Sequence, residues 1–151
     1  MKLPEYVTID EAKRVCYELS ISDWTEMKEA SVPIAEAEAI LSKINTTGMN
    51  IELQEFRKGL EVELEHGIKF EDANVTNNHP ILTGRIVLAH LKESRNYYRR
   101  LEVFELEGDL FKEIANENYS VVKNLYQKIL NAKEELYRAE LEELSASHPY
   151  P

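Results

Sequence analysis

Apolar residues recur at helical spacing along most of the chain. Ile9, Ala12, Val15, Cys16 and Leu19 share one face behind Thr8 and Glu11, a capping-box pair, so the spacing predicts a short helix near the N-terminus. Ser20 to Asp23 reads as a turn, and Trp24 lies in the connection to a second short helix over Pro33 to Ile44, with Gly48 beyond its end. Asn50 is placed to cap a third helix, on which Leu53, Phe56, Leu60 and Glu63 share a face and which Gly67 should stop. Residues 68–78 lack periodicity and read as a loop ending in Thr76, Asn77 and Asn78. A long helix is expected from about His79 and Pro80 to residue 107. Its inward face should carry Leu82, Ile86, Ala89, His90, Glu93, Tyr97, Leu101 and Phe104, with Gly108 ending or breaking it.

The segment from Asp109 to Leu144 is helical in pattern throughout, and its apolar positions form two neighbouring stripes. One holds Val122, Leu125, Ile129 and Leu136, the other Tyr119, Tyr126, Leu130, Tyr137, Leu141 and Leu144. One side of a helix cannot bury both, so this helix is expected either in the middle of a bundle or joining a homo-oligomer. The expected architecture is therefore all-α: a single-domain helical bundle over residues 1–144, with two short N-terminal helices and three longer ones, followed by a flexible tail over 145–151. With 151 residues, 43% of them hydrophobic, the chain can bury one real core, and five glycines and five prolines are too few to punctuate a β-sandwich.

Eighteen basic against 28 acidic residues give a formal charge of −10, which disfavours a diffuse grip on nucleic acid or on an anionic membrane surface. Apolar runs such as Ile86 to Ala89 fall far short of the roughly 20 residues that a membrane span requires. Met1 to Lys13 holds no signal-like apolar run and the one cysteine cannot form an internal disulfide, so a cytoplasmic protein is expected. Cys16, on the apolar stripe of the first helix, reads as a small buried hydrophobe rather than a nucleophile.

The chemistry-bearing pattern is a mirrored pair. Glu63 and His66 form E-x-x-H on one helix, and His90 and Glu93 form H-x-x-E on the next long one. Residues three apart share a helical face, so each unit projects a carboxylate and an imidazole together, as metal sites in helical bundles require. In an antiparallel pairing, Glu63 opposite Glu93 and His66 opposite His90 have the same midpoint, residue 78, so one register gathers all four. An ionised Glu facing apolar neighbours needs a partner, and a metal ion is an efficient one. Imidazole with carboxylate fits iron or manganese ahead of zinc, with redox or oxygen-related chemistry as the extension. Four ligands hold one ion; a second would draw on Glu113, Glu117 or another subunit. Tyr97, one turn past Glu93, either donates a hydrogen bond to a ligand or packs in the core. The rival reading is a non-catalytic helical assembly or adaptor protein, in which these groups form a structural polar network and the wide apolar face of the C-terminal helix binds its partner.

Two further features carry less. His79, about 16 Å of helix away from His90, is left out of the ligand set. Arg85, Lys92, Arg95 and Arg99 form a basic stripe that fits surface pairing with glutamates such as Glu134, Glu135, Glu140 and Glu142. The chain has no glycine-rich phosphate loop, Ser-His-Asp order or zinc-finger spacing.

Glu55 to Gly67 (EFRKGLEVELEHG) and Asn74 to Glu93 (NVTNNHPILTGRIVLAHLKE), with Tyr97 and Tyr98, resemble a family of small uncharacterised proteins of bacteria and their phages. The shared signatures are VELEHG at Val62 to Gly67 and AHL-x-E at Ala89 to Glu93; His79 stands where that pattern has an acidic residue. The resemblance implies no activity. The E-x-x-H unit also looks like a fragment of the ferritin-like carboxylate motif, although the second unit here runs in reverse.

Overall fold

A computed structural model of the chain describes residues 7–146, and among these residues every regular element is helical. The α-helices are α1 (Ile9–Leu19), α2 (Ile34–Ile44), α3 (Leu53–Lys69), α4 (Pro80–Glu93), α5 (Tyr97–Ala115) and α6 (Val122–Ser145), with single 3-10 turns at Trp24–Glu26 and Glu71–Ala73. No helix among the described residues is long and apolar enough to cross a membrane. The expected tail lies, from residue 147 onward, outside the described residues.

The described residues fall into two compact units, 7–93 and 94–146. In the first, Thr8 caps α1 as its pattern demands, its hydroxyl accepting from the Glu11 amide at 3.1 Å. Asp23 accepts from the Thr25 amide and so starts the turn that carries Trp24 into the core. Trp24, Ala37, Ile40, Phe56, Leu60, Leu64 and Val87 are fully or almost fully buried. Cys16 is buried with them, and burial pushes its thiol pKa up, which suits a packing role.

Helix α4 turns a different face inward from the expected one. Thr83, Gly84, Val87, Leu88 and Leu91 are buried, whereas Ala89 is exposed and Leu82, Ile86 and His90 are half-buried. Apolar residues lie nearly all round this helix, so periodicity alone does not fix its rotation. The deciding residue is Gly84: a Cβ built there would stand 2.7 Å from Ile40 Cγ2 and 3.0 Å from Ile44 Cδ1, so only glycine lets α2 come this close.

Glycine also misleads as a stop signal. Gly67 lies inside α3, which runs on to Lys69, because the following loop packs on it: a Cβ there would strike the amide oxygen of Asn78. Gly108 likewise lies inside α5. Asn50 does not cap α3; Glu52 holds the cap position, without a side-chain bond.

The helix expected over 79–107 is divided at residues 94–96, where the Tyr97 amide closes a turn on the Ser94 carbonyl at 3.0 Å. The Asn96 side chain donates to Glu143 at 3.0 Å. The second unit is the hairpin of α5 and α6, closed through Asn116 to Val121 with Glu117 in the left-handed region. Its buried apolar side chains include Tyr98, Val103, Ile129, Ala132 and Leu136, with Leu106 packed against the cluster of Val103, Ala132 and Leu136.

Candidate functional site

Glu63, on α3, and His90, on α4, meet where those helices pack. His90 Nε2 lies 3.6 Å from Glu63 Oε1, and on the other side of the ring His90 Nδ1 lies 3.9 Å from Glu93 Oε2. The imidazole thus stands between two carboxylates. This register differs from the expected one by one helical turn on α4, since His90 rather than Glu93 faces Glu63. The side chains are not deeply buried: Glu63 is 18% exposed, His90 30% and Glu93 75%. The energetic case for an obligatory partner ion therefore weakens, because water reaches all three groups.

His66 lies one turn beyond Glu63 and is exposed, with its ring tilted against Phe70 at 6.4 Å between centroids. With Glu63 it lines a cleft of about 160 Å³ whose other walls include Asn74, Thr76, Thr83 and Ile86. Among the described residues, no group of three or more His, Cys, Asp and Glu side chains is arranged to hold a metal ion. Tyr97 opens α5 in the other unit, where its ring stands edge-on to Tyr98 at 5.2 Å. Arg85 and Lys92 are exposed on α4, while Arg95 on the second unit pairs with Glu143 at 3.8 Å.

Sequence reasoning set His79 aside, yet the structure gives it a definite task. It is buried at the start of α4, where Nδ1 accepts from the amides of Ile81 at 3.2 Å and Leu82 at 3.4 Å, so the imidazole serves as the N-cap. A ring that accepts at Nδ1 must be unprotonated there, and burial lowers its pKa from the ordinary 6.5. A lowered folded pKa means that the unfolded chain binds the proton more tightly, so stability is complete above about pH 6.5 and is lost as pH falls below it. Thermal melts from pH 8 to pH 5 should show this loss in the wild type. In His79→Asn, which keeps a good capping side chain without the titration, the slope in this range should flatten; an unchanged slope would remove His79 from the account.

The other feature that separates this molecule from a plain bundle is on α6. Ile129 and Leu136 of the first apolar stripe are buried, while the second stripe is not: Tyr119, Tyr126, Leu130, Tyr137, Leu141 and Leu144 are 45–80% exposed. Ordinary surfaces carry scattered apolar residues, but five of these lie on one line of α6 and form a continuous apolar surface, with Tyr119 in the turn before the helix.

Comparison with known proteins adds the family. The family model described as "Protein of unknown function (DUF5661)" matches residues 12–107, well over half of the chain. The chain belongs to the DUF5661 family. The DUF5661 match takes in Glu63, His66, His90, Glu93 and Tyr97 and stops before α6. No curated protein matches the chain. No solved structure matches it either.

Proposed function

We propose that this DUF5661 protein is a non-catalytic helical assembly protein that joins copies of itself through α6. The observation that carries this reading is the line of exposed Tyr and Leu side chains on α6. The stripe leaves large apolar side chains of α6 in water, and a second copy laid over it removes them from water. In this reading the Glu63–His90–Glu93 row ties α3 to α4 as a half-buried polar network.

The test is the mass in solution by sedimentation equilibrium. Wild type is expected above the 17.5 kDa of one chain, while Tyr126→Ala and Tyr137→Ala shift the distribution toward single chains with helix content unchanged. Wild type that stays a single chain up to high concentration would overturn the reading.

A specific observation favours a second reading, a metal-binding protein. His90 directs one ring nitrogen at Glu63 and the other at a carboxylate behind it, the arrangement by which proteins orient a metal-ligating histidine. Glu63 and His90 would then be the ligands, His66 the nearest further donor on α3, and Glu93 the orienting group. Iron or manganese fits this donor set ahead of zinc, and the Glu63-x-x-His66 unit keeps its likeness to half of a ferritin-like motif. With two donors in place rather than four, such an ion would exchange readily.

A further inference from the structure

The exposed stripe of α6 carries information about its occupant. Tyr126, Leu130, Tyr137 and Leu141 follow each other at intervals of four, seven and four, a spacing that reads the same in both directions. At 3.6 residues per turn these four positions fall within an arc of about 60°, so they form one straight seam. Tyr126 and Leu141 lie equally far from the midpoint between Lys133 and Glu134, and so do Leu130 and Tyr137. The charges of α6 change sign at that same midpoint. Residues 122–133 hold Lys123, Lys128 and Lys133 and no acid, whereas residues 134–145 hold Glu134, Glu135, Glu140, Glu142 and Glu143 against Arg138 alone.

We infer that two copies of this chain pair α6 against α6 in antiparallel orientation, about a two-fold axis that passes between Lys133 and Glu134. This rests on the assembly reading above and adds the partner, its orientation and its register. A two-fold interface uses the same patch on both copies, so whatever meets residue i must itself be met by residue i of the other copy, and the palindromic spacing satisfies that condition. Each tyrosine then lies against a leucine: Tyr126 against Leu141 of the second copy, and Leu130 against Tyr137 of the second copy. The lysine half of each helix faces the glutamate half of the other.

Parallel pairing fails on both counts. It sets like charge against like along the whole helix and stacks large side chains on large, small on small. The charge order also runs against the helix's own dipole, with lysines in the N-terminal half and glutamates toward the C-terminus; the α5 side of the hairpin meets part of it, Glu107 pairing with Lys133, Arg100 with Glu140 and Arg95 with Glu143, and an antiparallel second α6 would meet the rest. Area agrees with a dimer. With about 150–250 Å² for a whole aromatic side chain taken as an upper measure, the five residues on α6 at their observed exposure offer on the order of 600 Å², somewhat below the roughly 800 Å² per partner of a standard interface and in the range of a weaker dimer. Lys133 and Glu134 each have a partner within the chain, Glu107 at 2.6 Å and Arg138 at 2.7 Å, so the contribution at the axis comes from the apolar seam and the flanking charge field.

Single-cysteine cross-linking reads the orientation directly. Glu134→Cys and Lys123→Cys both replace exposed side chains, and the native Cys16 is buried and so protected from the reagent. With a short bis-maleimide, Glu134→Cys is expected to give a covalent species of twice the 17.5 kDa chain mass, because the two copies of residue 134 meet near the axis. Lys123→Cys should give almost none, since its two copies stand about 30 Å apart along the seam. Raising salt should weaken the dimer, as charge pairing at an exposed seam is screened. Cross-linking at both positions would establish parallel pairing, and an assembly of native mass that links at neither would place the contact elsewhere; both overturn this inference and leave the assembly reading standing. A native mass of one chain overturns both.

Discussion

Trp24→Ala is expected to destabilise the protein by about 3–5 kcal/mol, the usual cost of emptying a buried aromatic site. The side chain is fully buried, and a single 3-10 turn, with few bonds of its own, delivers it to the core. Its Nε1 donates to Glu36 Oε2 at 2.9 Å on α2, and its carbonyl accepts from Asn78 Nδ2 at 3.3 Å, so it also ties together segments remote in sequence. Domains of this size hold about 5–15 kcal/mol in all, so the variant should lose a large share of its stability. Trp24→Phe separates the terms: it keeps most of the apolar burial, loses the hydrogen bond and should cost much less. Urea unfolding followed by far-ultraviolet circular dichroism measures both, since the chain has one tryptophan and its fluorescence disappears with it. A Trp24→Ala midpoint near that of wild type would contradict the packing described.

Gly84→Val should cost about 3 kcal/mol or more, from overpacking rather than from a void. The added atoms begin 2.7 Å from Ile40 Cγ2 and 3.0 Å from Ile44 Cδ1, with the Phe56 ring at 3.4 Å. Ile40 is buried and its methyl is attached at a stiff β-branched carbon, so the relief must come from moving α2 as a whole. Gly84→Ala brings the same Cβ to 2.7 Å from Ile40 without further atoms, and the roughly 1 kcal/mol that alanine gains over glycine in a helix offsets part of the cost, so it should still destabilise, by less than Gly84→Val. Equal melting temperatures for Gly84→Val and wild type would show that α2 and α4 are not in this contact.

These two positions show where the sequence is readable and where it is not. Local signals are reliable: Thr8 with Glu11 marks the start of α1, and the two short N-terminal helices fall where their patterns place them. The two stripes on α6 are also legible, because a tyrosine-leucine line beside a second apolar line leaves one of them exposed in any two-helix hairpin. The rotation of α4 is not legible, since apolar residues surround it and the choice depends on Gly84 fitting beside Ile40, a tertiary fact. Gly67 and Gly108 look like helix stops and lie within helices, because the pattern does not distinguish a glycine that ends a helix from one within it.

The candidate site divides in the same way. The spacing of Glu63, His66, His90 and Glu93 identifies residues on adjoining helices, and Glu63 and His90 do meet. Spacing does not give the register between helices, and a one-turn offset is enough to turn an expected ring of four into a row of three. The sequence places His79 at the start of a helix but weighs its imidazole only as a metal ligand too far from His90, and its role as a cap becomes visible once Nδ1 is seen facing two amides.

Native mass spectrometry of the intact chain, without a tag, reads whether α6 joins two copies. Assembly through α6 predicts peaks at two copies of the 17.5 kDa chain, which return to one copy in Tyr126→Ala and Tyr137→Ala. Single chains at every concentration, carrying the added mass of one metal ion that disappears in His90→Ala, would contradict it and put the function at Glu63 and His90.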